Sequence, residues 1–217
     1  MSLLLETERE AVVRTACRML NDKLIVGTSG NVSLRGGDLV AITPSGMHYQ
    51  MMEPVDVTVV DLAGNVVHGD LKPSVELPLH LAGYNSLDAK AVIHTHSTAA
   101  VALSLLQDEI PRVHYQLAMF GGSVRVAPYA TYGTDELVEN VIAAMADRTG
   151  CIMKHHGTVC LGENLEQAYD RAQQLEWLCD VWLRARAVGE PALLAEEELK
   201  TVTAKFARYG QQPGDVA

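Results

Sequence analysis

His94 and His96, in Val92-Ile93-His94-Thr95-His96-Ser97, set two imidazoles one residue apart at the end of a short apolar run. On a strand, alternate side chains share a face, so both rings point the same way and can meet one ion. Glu76 lies upstream in Lys72-Pro73-Ser74-Val75-Glu76, and His155-His156-Gly157 lies downstream. Three imidazoles and a carboxylate are the donor set of a divalent transition metal, zinc first. Two histidines on an apolar strand would otherwise be costly to bury. Adjacent residues of a strand face opposite ways, so only one of His155 and His156 should reach the ion, and parity does not choose between them. His80, four residues after Glu76 on the same helical face, is either a rival ligand or a hydrogen-bonded packing residue. His48 and His68 fit ordinary structural or surface roles.

Three further stretches combine hydroxyls with Gly or Pro: Gly27-Thr28-Ser29-Gly30-Asn31, Thr43-Pro44-Ser45-Gly46 and Lys72-Pro73-Ser74. Turns of this composition expose backbone N–H groups. Each alone is ordinary turn chemistry; beside a metal they suggest a phosphate pocket. Ser74 as an N-cap would also aim a helix N-terminus at the anion.

These residues need elements to hold them. Apolar periodicity predicts helices over residues 5–22, 74–84, 97–106, 134–146, 165–188 and 196–209. Strands are expected at 31–34, 39–43, 57–62, 66–68, 89–96, 124–127, 151–154 and 158–161. Ser97 would cap the helix after the histidine strand. The irregular alternation, with several hairpins, predicts an α/β fold with a mixed, largely antiparallel sheet between helical layers. No repeat or linker breaks the chain, so residues 1–217 read as one domain. A cupin would use a similar ligand set on an all-β jelly roll, which the helical stretches oppose. A TIM barrel usually takes about 250 residues of regular βα alternation.

Composition narrows the partners. Lys and Arg number 17 against 27 Asp and Glu, for a net charge of −10. That argues against nucleic acid and anionic membranes, though not against a small anion bound locally. No apolar run approaches the roughly 18 residues of a membrane span. The start, MSLLLETERE, lacks the basic region of a signal peptide, and Cys17, Cys151, Cys160 and Cys179 form no CxxC pair. A cytoplasmic protein with buried free thiols is expected.

The ordered series GTSGNVS, ITPSG, KPSVE, HTHS, HY, APYATYGT and HHG, spread over residues 5–209, resembles the class II aldolase/adducin superfamily. Within it the pattern is most similar to lyases that cleave deoxy-ketose 1-phosphates such as L-fuculose 1-phosphate. The resemblance implies a homotetramer with active sites at subunit interfaces and a phosphorylated sugar as substrate. It implies zinc on Glu76, His94, His96 and His156, with manganese or cobalt as substitutes. Phosphate binding falls by the same resemblance on Thr28, Gly30, Asn31, Ser45, Gly46 and Ser74. Catalysis falls on Glu76 as proton carrier and on Tyr115, reaching the site of a neighbouring subunit. Tyr132 and Tyr209 are implied around the aldehyde. Val75 stands where this pattern has a second serine, which removes one hydroxyl from the phosphate site. Dehydratases, epimerases and decarboxylases of the superfamily share most of these motifs, and an adducin-like scaffold would be expected to have lost ligands.

Overall fold

The computed structural model describes residues 3–206. Eight strands form one sheet: β1 (Asn31–Gly36), β2 (Leu39–Ile42), β3 (Thr58–Asp61), β4 (Val66–His68), β5 (Ala91–Thr95), β6 (Val126–Ala127), β7 (Gly150–Met153) and β8 (Gly157–Gly162). Their order is β4-β3-β2-β1-β5-β8-β7-β6. Every pairing is antiparallel except β6 with β7. The helices are α1 (Glu6–Asn21), α2 (Leu77–Ser86), α3 (Thr98–Ser104), α4 (Asp135–Ala144), α5 (Leu165–Val188) and α6 (Glu196–Phe206). Two 3₁₀ turns, Tyr49–Met51 and Tyr115–Phe120, were not expected from the sequence.

Alternation along the strands divides the interior in two. Ile93 joins Val12, Met19, Leu103, Leu175 and Leu178 on the face covered by α1, α3 and α5. Val92 joins Leu79, Tyr84, Leu137 and Val141 on the face covered by α2 and α4. Burial of each large apolar side chain contributes about 1.5–3 kcal/mol, so both layers are firmly held. His94 continues the face of Val92 and so points toward α2. In the β1–β5 pairing Asn31 lies opposite His94, and Ser33 opposite Val92. The strand that carries the histidines is therefore flanked by β1 and β8 and lies inside the sheet.

One expected helix start moves, and the other lacks the expected capping bond. Ser74 does not cap α2: the cap position is Glu76, and the helix begins at Leu77 with Pro78 in its first turn. Ser74 N–H donates to Thr43 O at 3.1 Å beside the Pro44–Pro73 bridge, and the Ser74 hydroxyl accepts from Glu76 N at 3.2 Å. Ser97 does stand at the cap position of α3, but its hydroxyl makes no capping bond. That role falls to Glu176 of α5, whose carboxylate accepts from Ala99 N at 2.8 Å and Ala100 N at 2.9 Å. The helix ends at Ser104, two residues short of expectation.

Candidate metal centre and active site

Four side chains converge where β5 ends. Glu76, His94, His96 and His156 each bring a ligand atom within 4.8 Å of all the others. His94 and His96 have Nε2 atoms 2.8 Å apart. Glu76 Oε2 lies 3.0 Å from His94 Nε2, and Oε1 lies 3.2 Å from His156 Nε2. The three rings are mutually edge-on, with centroids 4.7 to 4.9 Å apart.

The donor chemistry fits a divalent cation. His94 Nδ1–H donates to Thr158 O at 2.8 Å, which turns the Nε2 lone pair of the neutral ring into the cluster. That lone pair then faces another ring nitrogen and a carboxylate oxygen at hydrogen-bond distance, an arrangement that repels unless positive charge, a metal ion or a proton, lies among them. Glu76 Oε1 is buried without a hydrogen bond despite its approach to His156. A protonated His94 is the alternative source of that positive charge. Burial pushes the Glu76 carboxyl up, but the His94 charge and the contacts with His156, His94 and Asn31 more than offset it, holding Glu76 well below the usual carboxylate range. Burial opposes charge on His94, yet Glu76 raises its pKa. His96 is pushed down to about 3 by burial and by His94 and His156.

Each ligand has a local support. His96 follows the last residue of β5, anchored by its N–H to Leu24 O at 3.0 Å. Residues 154–156 turn tightly, with His155 at φ +58°, so the strand expected over 151–154 stops at Met153. The two histidines therefore occupy a turn, not a strand, and His156 is the one that enters the cluster. Gly157 closes that turn against β5, where a Cβ would sit 2.0 Å from Thr95 O. Only glycine permits this approach.

Glu76, His96 and His156 of the cluster line a cavity of about 310 Å³. Thr28, Gly30, Asn31, Ser45, Gly46 and Ser74 all line it, together with Tyr132. Backbone bonds tie two of the turns together: Ser45 N donates to Lys72 O at 3.0 Å, and Ser74 N to Thr43 O. Those N–H groups are thereby committed, which leaves the serine hydroxyls as donors. Gly30 has φ +76°, and a Cβ there would lie 2.8 Å from His94 O. Val75 is exposed on the cavity wall, and its N–H has no protein acceptor among the described residues.

Several residues were placed differently than expected or missed. The Asn31 side chain turns from the anion cradle, with Nδ2 donating to Glu76 Oε2 at 2.9 Å. His80 is not a ligand: it is fully buried and bonded to Ser33 and Asn31. His68 accepts from Arg9 Nη2 at 2.7 Å, a structural contact. Tyr115, half exposed, lines a separate cavity with Met119 and Phe206 and does not line the cavity of Glu76. Tyr209 lies outside the described residues. Tyr129, not singled out from sequence, meets His155 edge-on at 5.9 Å, and both complete the cavity wall. The one available signal was the APYATYGT stretch, in which Tyr129 sits three residues before Tyr132.

Comparison with known proteins agrees with this geometry. The family described as class II aldolase and adducin N-terminal domain matches residues 10–183. The chain is 38% identical over 213 residues to a 5-deoxy-D-ribulose 1-phosphate aldolase of Bacillus thuringiensis serovar kurstaki, covering 97% of this chain and 100% of that protein. It is 39% identical over 202 residues to an L-fuculose phosphate aldolase of Escherichia coli K12, covering 92% and 94% respectively. A solved L-fuculose 1-phosphate aldolase superposes with a TM-score of 0.90 at 35% identity, over 94% of this chain and 98% of that one.

Proposed function

This chain belongs to the class II aldolase and adducin family and is a class II aldolase; we propose that it reversibly cleaves L-fuculose 1-phosphate, or a related deoxy-ketose 1-phosphate such as 5-deoxy-D-ribulose 1-phosphate. The products are dihydroxyacetone phosphate and an aldehyde, L-lactaldehyde from the first substrate and acetaldehyde from the second. One observation carries the reading: a Glu and three His converge, and Glu76, His96 and His156 line a cavity shared with hydroxyl- and glycine-bearing turns. An ion site and an anion cradle in one small cavity suit a short phosphorylated chain.

Glu76, His94, His96 and His156 would hold the ion, zinc by preference. Bound there, it supplies Lewis-acid stabilisation of the negative charge that develops as the C3–C4 bond breaks. The chain's own groups do the rest. Thr28, Ser45 and Ser74 donate hydroxyls to the phosphate, and the backbones of Gly30, Asn31 and Gly46 line its seat. In cleavage the C4 hydroxyl loses its proton to Tyr115 of a neighbouring subunit, and the C3–C4 electron pair passes to the three-carbon fragment. Tyr115 takes that proton as its phenolate and returns it to solvent, while Glu76, protonated from solvent, delivers a proton to C3. In condensation the same two residues work in reverse. Tyr132 and Tyr209 flank the aldehyde. The site is thus shared across a homotetramer, in a cytoplasmic enzyme.

The test is product identification by mass, with each ketose phosphate in turn. Two carbon fragments without carbon dioxide are expected. A single dehydrated or epimerised product, or carbon dioxide release, would move the chain to another branch of the family.

A further inference from the structure

Glu76, in the role just proposed for it, is held by a buried chain of polar side chains. Glu76, His80 and Tyr84 recur every four residues at the start and along one side of α2, and β1 presents Asn31 and Ser33 to them. All five side chains are buried. Tyr84 Oη lies 2.5 Å from Ser33 Oγ, which lies 2.6 Å from His80 Nδ1. His80 Nε2 lies 2.5 Å from Asn31 Oδ1, and Asn31 Nδ2 donates to Glu76 Oε2 at 2.9 Å.

Only one polarity satisfies every member. An ionised Glu76 accepts only, so Asn31 must offer its NH₂ and turn its oxygen away. That oxygen needs a donor, which makes His80 Nε2 the protonated nitrogen. Nδ1 then accepts from the Ser33 hydroxyl, and Ser33 Oγ accepts from Tyr84. The opposite imidazole tautomer would flip the Asn31 amide and set oxygen against carboxylate. We propose that His80 is a positioning residue: its Nε2–H tautomer, fixed by Ser33 and Tyr84, locks the Asn31 amide so that one oxygen of Glu76 stays anchored while the other is left to the reacting centre. Glu76 can then move a proton with its carboxylate held in one orientation. In a buried polar chain, a single reversed link leaves an unpaired group, so the order propagates over all five residues.

Two measurements test it. The first is the ring-nitrogen resonances of His80 in zinc-loaded protein. The Nε2–H tautomer is expected; Nδ1–H would overturn the proposal whatever reaction the protein catalyses. The second is exchange of the C3 proton of dihydroxyacetone phosphate with solvent, which needs Glu76 but no aldehyde. His80→Leu should lower kcat for exchange by about 10- to 100-fold, as is usual for a group that orients a ligand or base, with KM little changed. His80→Gln, whose amide nitrogen takes the place of Nε2, should recover most of the loss. A raised KM with unchanged kcat, or Gln no better than Leu, would reduce His80 to a packing residue. If His80→Leu does not fold, Ser33→Ala carries the test: mixed tautomers and slower exchange are expected, and a single unchanged tautomer would contradict the account. Exchange absent in the wild-type protein would instead sink the substrate reading, while the tautomer measurement still decides the relay.

Discussion

Four residues form the candidate centre, and the two strand histidines were legible because their chemistry is expensive to leave unused. His94 lies on β5 and His96 just past its end, after an apolar run, so their shared face could be read directly. The choice between His155 and His156 could not, because it depends on a turn with His155 in a left-handed conformation. His80 stayed ambiguous for a different reason. A buried ligand and a buried hydrogen-bonding histidine look alike until Ser33 and Asn31 are seen on its two nitrogens. The departure at Val75 makes a prediction at this scale. Its side chain lines the cavity and its N–H has no protein acceptor among the described residues. Val75→Ser should add a hydroxyl donor to the phosphate, and a hydrogen bond to a charged group contributes about 1.5–3 kcal/mol at most. Steady-state kinetics should give a several-fold lower KM for the ketose phosphate with kcat unchanged. An unchanged KM would show that the phosphate is seated elsewhere.

At the scale of elements, α5 was read to the residue and the hairpins nearly so, because periodicity and Gly turns mark them locally. What sequence could not supply was capping from a distance. Glu176, 77 residues from Ala99, holds the N-terminus of α3 just after the metal strand. Glu176→Ala should cost about 0.5–2 kcal/mol, the range of a lost cap. Thermal unfolding should report it, together with weaker metal retention, since His96 lies at that junction. Helix α2 carries a second prediction. Burial, with the charge of His94, pushes His80 down to about 3, with Glu76 opposing. An unfolded histidine titrates near 6.5. Below that value the unfolded chain takes up a proton that folded His80 refuses. The stabilisation is therefore complete above pH 6.5 and lost as pH falls toward 3. Urea midpoints at pH 7 and pH 4.5 should differ less in His80→Gln than in the wild type. An equal drop in both would assign the acid sensitivity to other groups, His96 among them.

At the scale of the whole molecule, the proposed function reaches beyond a single chain. The sheet was anticipated in class and in most of its strands, since alternating faces and hairpin turns are local signals, while the strand order had to come from the structure. Tyr115 lies in a different cavity from Glu76, which accords with the proposed sharing of each site between neighbouring subunits. Glu76→Gln and Tyr115→Phe should each be inactive alone. Unfolded together and refolded as mixed oligomers, they should regain part of the activity, because some sites then receive both native residues. Absence of recovery in verified mixed oligomers would place Tyr115 outside the reaction.

The central claim is that one metal-dependent cavity performs the carbon–carbon cleavage. It is tested most directly by following dihydroxyacetone phosphate release from L-fuculose 1-phosphate and 5-deoxy-D-ribulose 1-phosphate through a coupled dehydrogenase. The account predicts release from at least one substrate, loss of release on chelation, and recovery when zinc is returned. Release that persists after the metal has been removed, or no release from either substrate by folded, zinc-loaded protein, would contradict it.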